Sequence, residues 1–180
     1  MKVRRLFIAI ILILSLSGCG QQKEKIVVSN ESFPNLTFGM SREEVIKTLG
    51  QNAYEQEPVP GSDQSLFVNI EKKDILPSSR ECKVVVLCPK KLENCSYTVW
   101  CDSRSDAIDA LYEVYDIVCK EFGEPKSFLI GDALPEKSTF DQDMENIKWE
   151  QELSDGRKKV AEVTFEGTLD NRVNVVYGLK

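Results

Sequence analysis

The stretch ECKVVVLCPKKLENCSYTVWC, residues 81–101, holds four of the six cysteines and two strand-like runs that can join in an antiparallel hairpin. In one register of that hairpin, Cys82 faces Cys101 and Cys88 faces Cys95, all on the same side of the ribbon. Facing residues of antiparallel strands have Cα separations within the range that a disulfide bond spans. The spacing therefore predicts two disulfide bonds, Cys82–Cys101 and Cys88–Cys95.

Three alternatives to this pairing stay open. A zinc site built from the four cysteines is disfavoured, because zinc knuckles place two to four residues between ligands. A redox role is disfavoured because the chain has no CxxC motif. A slip of one residue in the register would separate the cysteines. The remaining Cys119 falls on the apolar side of a predicted helix, which indicates a buried, unreactive thiol.

The N-terminus has the layout of a secretory signal. Three basic residues precede an apolar run from Leu6 to Leu16, which is short for a bilayer span. The sequence Leu16-Ser17-Gly18-Cys19 resembles the bacterial lipobox, and this resemblance implies cleavage before Cys19 and lipid attachment to it. We expect a membrane-anchored protein that faces the extracytoplasmic side. The alternative is an ordinary secretory signal with a chance cysteine.

These features divide the chain into a signal peptide (1–18), a lipidated cysteine with a polar tether (19–32) and two structural segments, 33–102 and 103–180. The two segments together have the size of one compact domain. Cleavage removes three basic and no acidic residues, so the formal net charge of −6 becomes −9. An acidic chain of this kind is a poor nucleic-acid binder.

The composition also argues against catalysis. The chain has no histidine, which excludes Ser-His-Asp and Cys-His arrangements. It has no glycine-rich phosphate loop, and its carboxylates are scattered as on a solvated surface. We therefore expect no catalytic residues, no metal ion and no cofactor.

Two helices are signalled by their ends. Ser41 and Glu44 form a capping-box pattern, and Gly50 supplies the stop. A second helix is expected from about residue 104 to Phe122, with Ser103 as N-cap and Gly123 at its end. Its predicted apolar face comprises Ile108, Leu111, Tyr112, Tyr115, Val118, Cys119 and Phe122.

The two halves of the chain follow the same order. The helix ends VIKTLGQ (45–51) and VCKEFGE (118–124) are alike, and each is followed by a pair of strand-like runs. Further strands are expected near 66–70 and 147–153. This pattern indicates an internal duplication and an α+β fold, in which two helix-plus-antiparallel-strand repeats place their helices on one face of an antiparallel sheet.

The segment FGMSREEVIKTLG, residues 38–50, with the strand signals after it, resembles the repeat of two families: the SmpA/OmlA small lipoproteins of outer-membrane barrel assembly and the β-lactamase inhibitor proteins. The resemblance implies a non-catalytic module that binds other proteins through its sheet face or loops. The family's usual proline after the helix-ending glycine is absent, and the hairpin cysteines lie outside the family motif.

We therefore expect a lipoprotein that binds a protein partner through the sheet face around Lys83, Thr98 and Trp100. The alternative is a lipoprotein that binds a small ligand or a cell-wall glycan, for which Trp100 and Trp149 are the candidate aromatic platforms. An enzyme that uses only carboxylates is a third and distant hypothesis.

Overall fold

The computed structural model describes residues 25–50, 70–72, 75–88, 90–168 and 170–180. The predicted signal peptide, Cys19 and residues 66–69 of the strand expected near 66–70 lie outside these residues. The strands are β1 (Val27–Ser29), β2 (Phe33–Thr37), β3 (Ile70–Lys72), β4 (Cys82–Leu87), β5 (Asn94–Trp100), β6 (Ser127–Phe128), β7 (Met144–Glu152), β8 (Lys158–Glu166) and β9 (Arg172–Leu179). The α-helices are α1 (Arg42–Leu49) and α2 (Arg104–Phe122), and a single 3₁₀ turn spans Lys137–Thr139.

Both helices begin and end where the sequence predicts. At α1, the Glu44 backbone N–H donates to Ser41 Oγ (3.3 Å), and the Glu44 carboxylate accepts from the Ser41 N–H (2.8 Å). At α2, the Asp106 N–H donates to Ser103 Oγ (3.2 Å). Gly50 and Gly123 follow the two helices with φ of 92° and 79°, which residues with a side chain rarely adopt. The capping predictions are confirmed.

Seven strands form one antiparallel sheet in the order β3-β4-β5-β9-β8-β7-β6, and β1 pairs with β2 in a separate two-stranded sheet. The class is therefore α+β with antiparallel sheets, as predicted. β7 covers the strand expected near 147–153 but begins earlier, at Met144. Within the described residues, no helix is long and apolar enough to cross a membrane.

The core lies between α2 and one face of the seven-stranded sheet, here called the inner face. Alternate residues of β5, β8 and β9 are buried on it, as period-two alternation requires. α2 packs across β8, β9, β5 and β7. Of the predicted apolar face, Leu111 and Val118 are fully buried, whereas Ile108, Tyr112, Tyr115, Cys119 and Phe122 are half-buried at the margins. The buried face is completed by Ala107, Ala110, Val114 and Ile117, so its centre is rotated from the predicted one. Small residues at the centre let the helix approach the sheet closely.

The N-terminal hairpin is tied to this core by a buried ion pair. Lys159 Nζ lies 2.5 Å from Glu121 Oε1, and the two side chains are only 5% and 4% exposed. Glu121 also accepts hydrogen bonds from Ser29 Oγ (2.7 Å) and the Asn30 N–H (3.0 Å). The fold thus includes β1 from Val27, earlier than the predicted boundary at residue 33. Any tether to a lipid at Cys19 is correspondingly shorter.

Candidate functional site

The opposite face of the sheet, here called the outer face, carries polar side chains in rows that run across the strands. The row nearest one end of the sheet, here called the distal row, comprises Trp100, Arg172, Glu166 and Met144. The next, here called the polar row, comprises Lys83, Thr98, Asn174, Thr164 and Asn146. Period-two alternation puts these residues opposite the buried ones of the same strands.

Trp100 and Arg172 form a stacked pair at the edge of the distal row. Trp100 is 53% exposed, and the Arg172 guanidinium carbon lies 5.4 Å from the centre of its ring. Arg172 Nε donates to Glu166 Oε2 (2.8 Å), and its Nη2 lies 2.6 Å from the same oxygen. A large aromatic ring is therefore held in one position while it remains open to solvent.

Beside this pair lies a shallow depression of about 260 Å³. Its lining is made of Thr98, Thr164, Glu166, Arg172 and Asn174. Thr98 Oγ1 donates to Asn174 Oδ1 (3.0 Å), and Asn146 Nδ2 donates to Thr164 Oγ1 (3.1 Å). All five lining side chains carry hydrogen-bonding groups on rigid strands, so the depression suits recognition of polar groups.

The side chains that line the depression can donate and accept hydrogen bonds and can pair with charged groups. Glu166 is the one carboxylate among the lining residues, and Arg172 donates to it. Acid–base cleavage of a glycosidic bond needs two carboxyl groups in different protonation states. Among the described residues, no group of three or more His, Cys, Asp or Glu side chains could hold a metal ion.

The three residues predicted to mark the binding surface lie on this one face. Lys83 pairs with Thr98 across β4 and β5, and Trp100 follows two residues later on the same side. The other candidate platform, Trp149, is buried on the inner face, and its Nε1 donates to the Gly123 carbonyl (3.2 Å). Sequence reasoning missed Arg172, Asn174, Thr164 and Glu166. The sequence pattern could have revealed them, since each alternates with apolar, buried residues along β8 or β9.

The cysteine hairpin adopts a different register from the predicted one. Cys82 lies opposite Val99 and Cys95 lies opposite Val86, so the strands are offset by two residues. The two-residue offset keeps the cysteines on the inner side but makes the predicted partners diagonal neighbours, beyond the usual disulfide separation. No disulfide bond joins the cysteines of the described residues.

A backbone contact at the turn accounts for this register. The N–H of Leu92 donates to the Met40 carbonyl (2.8 Å), and its carbonyl accepts from the Gly39 N–H (2.9 Å). Leu92 is buried, and it pairs with the segment before α1 instead of with the hairpin. The hairpin therefore closes at Leu87 and Asn94. The two disulfide bonds stay a prediction. Their formation requires β4 and β5 to shift by two residues relative to each other.

The thiols on this side of the sheet are poorly ionised. Burial raises the pKa of Cys88, Cys101 and Cys119 above the ordinary thiol value. Cys119 is half-buried on α2, between Tyr115 and Trp149. Because the thiolate is the reactive species, these cysteines react slowly at neutral pH.

Comparisons of the chain with models of protein families, with curated proteins and with solved structures found no match.

Proposed function

We propose that this chain is a membrane-anchored, non-catalytic binding module that recognises a protein partner through the outer face of its sheet. The observation that carries this proposal is the stacked Trp100–Arg172 pair on two paired strands. The Trp100 ring is exposed to solvent and is not part of the packed core. Tryptophan and arginine are the residues most enriched among those that dominate protein–protein binding energy. Their rigid placement lowers the entropy lost on binding.

The size of the outer face favours a protein over a small molecule. Five strands at the usual spacing and four rows of outward residues give about 600 Å² in projection. A stable protein interface covers about 800 Å² on each partner, so the face and its surrounding loops together suffice. The expected attachment to a membrane through Cys19 follows from the lipobox resemblance. It would hold the module beside extracytoplasmic proteins.

The finer architecture proposed for this module is a tandem of two similar units. β5 and β9 pair at the centre of the sheet, with Tyr97 opposite Val175. Reading outward from this pair, β4 and β8 come next, followed by β3 and β7. Each unit would then be a helix that ends at a glycine, followed by antiparallel strands. Such a tandem is what the resemblance to the β-lactamase inhibitor proteins implies.

A second candidate function is binding of a cell-wall glycan. The observation in its favour is the depression beside Trp100, whose lining of hydroxyl, amide and charged groups matches the donors and acceptors of a sugar. The depression is small, so it would hold one or two sugar rings. It would use only a part of the outer face.

Photo-crosslinking in the native host distinguishes the two functions. A photoreactive amino acid is placed at Lys83, Thr98 or Trp100, with exposed Lys120 on α2 as the control position. We expect the three outer-face probes to capture the same protein, and the purified pair to bind in solution. Capture of wall glycan or lipid alone would reject a protein partner. Equal capture from Lys120 would mean that the outer face has no special role.

A further inference from the structure

We propose that the partner docks at one end of the sheet, here called the distal end, and that it presents an apolar surface rimmed by lysine or arginine. The distal end comprises the distal row together with Leu129 and Ile130 and the loops at 101–103 and 141–143. The proposal rests on the proposed function and on its lipid anchor. It adds where the partner binds and what its surface is made of.

The exposed large apolar side chains of the described residues all lie at this end. They are Trp100 (53% exposed), Leu129 (55%), Ile130 (45%) and Met144 (50%). Trp100 and Met144 belong to the distal row, and Leu129 and Ile130 follow the short edge strand β6 alongside the start of β7. Arg172 and Glu166 lie between Trp100 and Met144, so the apolar side chains stand at the two edges of the row. Exposed large apolar side chains that gather at one end of a domain mark an interaction site more often than singly scattered ones do.

A buried carboxylate holds Leu129 and Ile130 in place. Glu145 is fully buried, and its Oε1 accepts hydrogen bonds from the backbone N–H groups of Leu129 (2.8 Å), Ile130 (3.4 Å) and Asn146 (2.8 Å). The segment after β6 is therefore fixed by the core of the domain. Its two apolar side chains are presented to solvent by a rigid support, which suits a preformed docking surface.

The tether leaves the domain at the opposite end. Lys25, Ile26 and Val27 border a cleft with residues 151–155, at the turn between β7 and β8. Met144 and Glu152 are the two ends of β7 and lie about 27 Å apart at the rise of an extended strand. The few residues between Cys19 and Lys25 span at most about 20 Å. The tether therefore keeps the cleft end near the bilayer and leaves the distal end accessible from the side away from it.

The charged residues around the distal end indicate the charge that the partner's surface should carry. Acidic residues outnumber basic ones there, with Asp102, Asp141, Asp143, Glu166 and Asp170 against Arg80, Arg104 and Arg172. Arg104 is paired with Asp143 (2.5 Å), and Arg172 with Glu166 and Asp170 (2.6 and 3.5 Å). An apolar cluster with an acidic rim complements an apolar surface with a basic rim, and it repels anionic lipid and nucleic acid.

The test uses the full-length lipoprotein in its native host, with a photoreactive amino acid at Leu129 or Met144. Ser96 serves as the probe at the middle of the outer face, and Gln151 as the probe at the tether end. The crosslinked peptides of the captured protein are identified by mass spectrometry. We expect the Leu129 and Met144 probes to capture one protein, through peptides that carry net positive charge and apolar residues.

Charge reversal provides the second readout. With purified partner, the double change Asp102→Lys and Asp141→Lys should weaken binding at least about tenfold at low salt, and less at high salt because surface charges are screened. Each single change, Asp102→Lys or Asp141→Lys, has a matched control of equal charge in Glu152→Lys at the tether end, which should change binding less than twofold. Circular dichroism verifies that each variant is folded.

The other outcomes are distinguishable. Capture from Ser96 without capture from Leu129 or Met144 would overturn the distal-end proposal and leave the proposed function standing. Peptides of net negative charge, a second copy of this chain, or no response to charge reversal would overturn the partner chemistry. Capture of lipid or glycan alone from every probe would overturn both proposals.

Discussion

The two faces of the seven-stranded sheet are built from the same strands and have opposite roles. On β8, the inner residues Ala161, Val163 and Phe165 are at most 1% exposed, whereas their outer neighbours Glu162 and Thr164 are half-exposed and polar. The inner face buries the apolar surface that stabilises the fold. Few of the outer-face side chains take part in this packing, because they are half-exposed or exposed. Substitutions on the two faces should therefore separate stability from binding.

The largest expected difference is between the two tryptophans. Trp149→Ala removes a ring that is 1% exposed, together with its hydrogen bond to Gly123, and should lower the free energy of unfolding by about 3–5 kcal/mol. Trp100→Ala on the outer face should cost less than about 1 kcal/mol. Urea unfolding followed by circular dichroism measures both changes.

The affinity for the partner should depend on Trp100 more than on Trp149, the reverse of their effects on stability. Trp100→Ala should weaken binding, and the conservative change Trp149→Phe should leave it unchanged. Equal stability losses for the two alanine variants would contradict the division between the faces, because they would mean that Trp100 is also part of a packed core.

Much of this fold was predictable because its signals are local. The capping box at Ser41, the N-cap at Ser103 and the terminal glycines predict both helices. Period-two alternation places Lys83, Thr98 and Trp100 on the face opposite the cysteines. The three residues lie on that face both in the predicted register and in the register of the structure, since an offset of two residues preserves the sides of a strand.

The features that escaped prediction depend on distant contacts. The hairpin register is set by Leu92, which pairs with Met40, far away in the sequence. The ion pair of Lys159 with Glu121 joins β8 to α2, and nothing local to either residue signals a buried charge. The distal row joins residues of four strands, so it becomes visible only when the strand order is known.

The buried ion pair of Lys159 and Glu121 places two charges beside the otherwise largely apolar inner face. Glu121→Gln leaves the Lys159 ammonium buried without its counter-charge and should destabilise the fold by about 3 kcal/mol. Glu166→Gln on the outer face removes one of the two carboxylate partners of half-exposed Arg172 and should cost less than about 1 kcal/mol. Urea unfolding at neutral pH compares the two variants. A similar cost for both would show that Lys159 reaches solvent.

Disulfide bonds between the cysteines would link β4 and β5 covalently on the inner face. The predicted Cys82–Cys101 and Cys88–Cys95 bonds would leave Cys119 as the one thiol that reacts when the unreduced domain, without Cys19, is alkylated under denaturing conditions. Mass spectrometry counts the modified thiols. We expect one, and we expect reduction to lower the free energy of unfolding by about 3 kcal/mol. Five modified thiols would reject both bonds and favour the register seen in the structure.

The buried tyrosines make the inner face sensitive to alkali. Burial raises the pKa of Tyr177 to about 12, although Ser32 and Ser29 counteract part of this effect. An unfolded tyrosine ionises near pH 10, so the stability that Tyr177 contributes is complete below pH 10 and is lost as the pH rises toward about 12. Unfolding free energies between pH 8 and 12 should fall above pH 10. Tyr177→Phe should reduce this fall, and an unchanged pH profile in the variant would contradict it.

The smallest expected effect comes from neighbouring residues that point to opposite faces. Thr98→Val removes the hydrogen bond to Asn174 on the outer face, where water can replace it, and keeps a β-branched side chain in the strand. We expect a change in unfolding free energy within about 0.5 kcal/mol. Val99→Thr is the matched control, since it places a hydroxyl at a fully buried position and should cost about 1–3 kcal/mol. If Thr98→Val lowered the unfolding free energy as much as Val99→Thr, the polar row would contribute to stability as the core does. The outer face would then not be a surface whose side chains are available for binding.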